Sequence, residues 1–178
     1  MSLVLIKSAK KKVIKKKINR VKKLRHLCKK NKQYLKIIDE HNYDSDIIDG
    51  ISIRFCDDIE NTAKTINGEI CINSKLLDAN PIKQLRYIIH ELVHVFQHIE
   101  KEGTESKKEN KYLDNPDEIE AFQAQLDYQE ENEDNLEKYI KDLFDFHKIP
   151  EKDRPELLDS LVKELDDKSV KEKVLEND

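Results

Sequence analysis

The residues best able to do chemistry lie between Tyr87 and His98. There His90-Glu91-Leu92-Val93-His94 forms an H-E-x-x-H pattern inside an otherwise apolar run. Two His at i and i+4 sit on one helix face, about 6 Å apart along the axis. That spacing lets both imidazoles reach one metal ion, at about 2.0–2.1 Å if the ion is zinc. Glu91 stands one position on, at the edge of the same stripe. A carboxylate there can take a proton from a metal-activated water instead of binding the metal. The plain alternative is an amphipathic surface helix whose polar stripe happens to hold two His. The context favours a metal site: Leu92 and Val93 are uncharged, and neither Pro nor Gly interrupts the run.

A catalytic zinc has three protein ligands and one open position, so a third ligand is needed. A chain that turned after a Gly could return one six residues past His94. Here Gln97 stands at the Gly position and Glu100 at the ligand position, so the helix continues and Glu100 rotates away. His98 lies a further turn along the stripe and reads better as an exposed or supporting group. The segment Glu118-Ile119-Glu120-Ala121-Phe122 offers two carboxylates. On a helix, Glu118 lies about 70° and Glu120 about 130° from the middle of the Ile119/Phe122/Leu126 face. Glu118 is nearer the packed side and close to a helix N-terminus, which favours an ionised carboxylate. Against it, Asn115-x-x-Glu118 also reads as a capping box. Glu118 is preferred and Glu120 stays open. Tyr112 and His147 are able to stabilise an oxyanion, and neither is assigned that role.

These residues need elements to hold them. Asn80-Pro81 signals a helix start, with Asn as cap and Pro in the first turn, so a helix is expected from there to about Lys101. Leu85, Ile88, Ile89, Leu92, Val95, Phe96 and Ile99 give it one broad apolar face, opposite His90, His94, Gln97 and His98. Ile51 to Phe55 alternates as a half-buried strand does. Asn67-Gly68 between β-prone runs predicts a hairpin leading into Glu69 to Asn73. Asn115-Pro116 repeats the helix start signal, and two more amphipathic helices are expected around Tyr139–His147 and Leu157–Leu165. The fold class is therefore α+β, mainly helical, with a small and mostly antiparallel sheet and zinc between two helices.

Hydrophobic residues make up 37% of the 178 residues and charged residues 39%, so the core is modest and the helices are well solvated. The net charge is −4, yet no acidic residue precedes Asp39. Residues 7–36 read as a basic amphipathic helix that can lie on nucleic acid or an anionic surface, or simply pack on its own domain with Lys in solvent. The latter is favoured, since Tyr34 is the one stacking residue in that stretch. The expected organisation is a basic helical extension over 1–38, the metal-bearing domain with C-terminal helices over 39–168, and a frayed tail over 169–178. Three Cys without metal-knuckle spacing suit a reducing compartment. No signal peptide is seen and no run approaches the ~20 apolar residues of a membrane span, so a cytoplasmic location and no transmembrane segment are expected.

His90-Glu91-Leu92-Val93-His94 on one helix, followed by Glu118-Ile119-Glu120-Ala121 on a later one, resembles the gluzincin group of zinc metallopeptidases. The stretch from Ile51 to Tyr128 is similar to the minigluzincins, small single-domain enzymes of bacteria and phages. Tyr112 to Ala121 also resembles a segment recurring in that group. The resemblance implies a zincin-like fold, zinc as cofactor, and His90, His94 and Glu118 as ligands. It implies Glu91 as general base, and a peptide or protein as substrate. It covers under half the chain, and Phe122 stands where an Asp often follows and holds a His. Gly68 to Asn73 falls where such enzymes carry the edge strand over the cleft. An extended substrate is therefore expected to add beside Glu69–Asn73, with Ile70 and Ile72 facing the core and Cys71 away. Two other classes remain: a proteolytically silent metal-binding interaction protein, and a nucleic-acid or membrane-surface module acting through the basic segment.

Overall fold

In the computed structural model, residues 3–101, 115–132, 136–162 and Val174 are described. The chain divides into two compact units, Met1–Gly103 and Thr104–Asp178. The first holds α1 (Leu3–Cys28), α2 (Lys32–Glu40), α3 (Ile47–Gly50), β1 (Ile53–Cys56), β2 (Ala63–Ile66), β3 (Glu69–Asn73) and α4 (Pro81–Glu100). The second holds α5 (Pro116–Asn132), α6 (Leu136–Phe146) and α7 (Arg154–Leu161). The class is α+β and mainly helical, as expected. No helix among the described residues is long and apolar enough to cross a membrane.

The sheet is small and mixed. Its order is β1-β3-β2, with β2 antiparallel to β3 and β1 parallel to it. The β2–β3 hairpin turns on Asn67 and Gly68, with φ of 50° and 75°. Positive φ at both positions is what a two-residue type I′ turn demands. At Gly68 the conformation favours glycine, and a Cβ would stand 3.1 Å from Cδ2 of His98, whose ring would have to give by a few tenths of an ångström.

This topology corrects the expected docking edge. β3 is the central strand, paired on both sides, and Cys71 is completely buried. Its backbone groups are spent on its neighbours and cannot receive a further strand. Among the described residues β2 pairs only with β3, so β2 is the edge on the hairpin side.

Register places Ile53, Phe55, Ile70, Ile72, Ala63 and Thr65 on one face, because directly paired residues share a face. That face packs on α4, whose Ile88, Ile89, Leu92 and Phe96 are fully buried. Each such side chain stabilises the fold by about 1.5–3 kcal/mol relative to exposure. Asn80 Oδ1 accepts from the Ile82 amide at 3.0 Å, and Pro81 occupies the first turn, so α4 starts where its sequence signal lies. Only Ile99 departs from the expected apolar face, being 46% exposed.

The basic segment is two helices, not one. Asn31 breaks it and caps α2, its Oδ1 accepting from the Tyr34 amide at 3.0 Å. The second half of α1 belongs to the core of the first unit. Leu24 and Cys28 are fully buried, Arg25 Nη2 donates to the Ile51 carbonyl at 2.7 Å, and Lys29 pairs with Asp46 and Asp49. Burial pushes the Cys28 thiol up to about 12.

The second unit is built round Phe122, Leu126, Ile140, Phe144, Leu158, Leu161 and Val162. Asn115 Oδ1 accepts from the Asp117 amide at 3.1 Å and opens α5. The tail expected to fray lies outside the described residues except for Val174, which is buried in this cluster. Tyr112 likewise lies outside the described residues.

Candidate metal centre

α4 presents His90 and His94 as the spacing requires. Their Nε2 atoms face each other at 3.2 Å, with ring centroids 4.9 Å apart and planes inclined by 77°. Two imidazoles on one tetrahedral zinc, each at about 2.05 Å, hold their nitrogens roughly 3.3 Å apart. The two rings are within hydrogen-bond distance of each other, and that separation is also the one two ligands of a single tetrahedral ion need. His90 is buried and His94 half-buried, so the site has both a dry wall and an opening.

His94 has a hydrogen-bond partner in Gln97, which stands on the same polar stripe of the helix. Gln97 Oε1 lies 2.8 Å from His94 Nδ1. A neutral imidazole has one N–H. With that proton donated from Nδ1 to the Gln97 amide oxygen, Nε2 carries a bare lone pair, the form that binds a metal. Gln97 comes from the same helix, three residues on, and is itself buried. Phe122 packs into the core of the second unit.

Glu91 is buried beside His90. The Thr65 hydroxyl on β2 lies 2.8 Å from Glu91 Oε2 and 3.0 Å from the Glu91 carbonyl oxygen. The single hydroxyl proton favours the nearer, charged oxygen. Oε2 is thereby held against the strand. Thr65 had no signal in the sequence, because nothing local links residue 65 to residue 91.

His98 lies under the hairpin turn, its ring against Gly68, two helical turns beyond His90. It has a packing role at that turn. Of the two candidate carboxylates, Glu120 is exposed and Glu118 is half-buried in the first turn of α5. His90, His94 and Glu118 form a group able to hold one metal ion, with one ligand atom from each within 4.8 Å of the others. Two imidazoles and one carboxylate are a donor set that suits zinc and leaves a fourth position open.

The chain matches no family model, no curated protein and no solved structure.

Proposed function

We propose that this protein is a zinc-dependent metallopeptidase, with His90, His94 and Glu118 as ligands and Glu91 as general base. The observation that carries the reading is the facing His90 and His94 Nε2 atoms at 3.2 Å, grouped with Glu118. Zinc held there supplies an acidified water and a Lewis acid for the scissile carbonyl.

The protein's own groups do the rest. Glu91 takes the proton of the attacking water and passes it to the leaving amine. Thr65 keeps the Glu91 carboxylate in one rotamer, so the proton is accepted at a defined place. Gln97 keeps the His94 lone pair turned to the metal. An extended peptide laid along β2 would pair with the strand edge that has no second partner among the described residues and pass beside Glu91, because Thr65 belongs to that strand.

Elemental analysis of the purified protein, followed by cleavage assays on an unfolded-protein mixture, tests the proposal. One zinc per chain and cleavage are expected. Glu91→Gln should keep the metal and lose turnover by at least a hundredfold, as expected for loss of a general base. His94→Ala should lose the metal and melt earlier, since an ion bound only to the folded state stabilises it. Equal metal content in wild type and His94→Ala, or full turnover by Glu91→Gln, sinks the assignment.

A further inference from the structure

We propose that the exposed face of α1 over residues 10–23 is a docking surface for an anionic lipid bilayer, with the helix lying flat and Ile14 and Ile18 set among the headgroups. α1 carries no acidic residue, whereas the protein as a whole is net negative at −4. That one element carries 11 of the 33 Lys and Arg with no carboxylate of its own. Lys16 and Lys17 pair with Asp78 and Asp57 and help fasten the helix to the first unit. Lys10, Lys11, Lys12, Lys15, Lys22 and Lys23 remain exposed and meet no carboxylate among the described residues.

The apolar residues choose the partner. Ile14 and Ile18 are 58% and 52% exposed and stand one turn apart on the same stripe. At 100° per residue, Lys11, Lys22 and Lys15 flank that stripe within about 80° on one side, and Lys10 lies about 60° away on the other. Branched apolar side chains bordered by lysines are the composition of a helix that lies in a membrane interface. The stems rest on the apolar boundary while the ammonium groups reach the phosphates. A nucleic-acid surface fits less well. α1 has no Phe, Tyr or Trp on which a base could stack, and its cations are mostly Lys, not the bidentate Arg. The seam buried through Leu24 and Cys28 holds the helix formed before contact, so little ordering remains to be done on docking.

Co-sedimentation of the full-length protein with vesicles tests this. Vesicles of phosphatidylcholine with one third phosphatidylserine should bind it, phosphatidylcholine alone should not, and high salt should release it. Each Lys near such a surface is worth roughly fivefold, so Lys11→Gln/Lys15→Gln/Lys22→Gln should weaken binding about a hundredfold. Ile14→Ser/Ile18→Ser leaves the charge unchanged and should weaken it about tenfold. Both variants should melt with wild type, because all five side chains are exposed. Equal binding to uncharged vesicles, or no effect of the Ile pair, overturns the proposal. So does tighter binding to a single-stranded oligonucleotide than to the anionic vesicles at the same salt, which would give the stripe to nucleic acid.

Discussion

Gln97→Leu tests the bond between Gln97 and His94. The substitution removes the acceptor 2.8 Å from His94 Nδ1 and keeps a side chain of similar size in a buried place. His94 then loses the partner that held its proton on Nδ1, and the tautomer with a bare Nε2 is no longer favoured. Removing such outer partners typically lowers metal affinity by 10–100-fold. His94 is half-buried, so water can replace part of the lost bond, and the lower end applies. About tenfold weaker zinc binding is expected, equivalent to ~1.4 kcal/mol. Competition with a chromophoric chelator measures it, and melting of the metal-free protein checks that the fold is intact. Gln97→Glu is the companion variant. A carboxylate can only accept, so it should bind zinc at least as tightly as wild type. Wild-type affinity in Gln97→Leu, with His94→Ala devoid of metal, would remove Gln97 from the site while leaving the site itself standing.

Three further outcomes follow from the geometry. Thr65→Val should keep zinc but lower kcat at least tenfold, because a hydrogen bond to a charged group is worth about 1.5–3 kcal/mol; Thr65→Ser should restore it, and unchanged turnover in the Val variant refutes the clamp. Gly68→Ala should cost about 1–2 kcal/mol in denaturant melts, since it forces a Cβ into a left-handed turn and against His98; a wild-type midpoint would mean that the turn and ring both yield freely. The Cys28 thiol is raised by burial from its ordinary 9.0 to about 12 in the folded chain, so the unfolded state gives up this proton first and stability should fall as pH rises between those values. Cys28→Ala should make that fall shallower by about one proton, roughly 1.4 kcal/mol per pH unit, and an unchanged slope in denaturant melts across that range would show that the thiol is not responsible.

Much of α4 was legible in the chain, because what specifies it is local. Asn80 and Pro81 act on the amides beside them, and the i, i+4 relation of His90 and His94 holds in any helix. The Asn67-Gly68 turn is likewise a property of two residues with positive φ. Gln97, three places after His94, was visible on the same stripe, but its bond to Nδ1 depends on a rotamer that packing selects. The errors arose where distant segments choose among partners. β3 is expected as an edge from the resemblance alone and is central because β1 pairs along its other side. The basic run reads as one amphipathic helix packed on its own domain; the packing holds through Leu24 and Cys28, but Asn31 divides the run into two helices. Thr65 reached Glu91 only because the sheet packs across α4. Periodicity, caps and turns act over a few residues and are written in the chain. Strand order and side-chain rotamers are settled by competition among all the surfaces that need burying, and that competition takes place only in the folded structure.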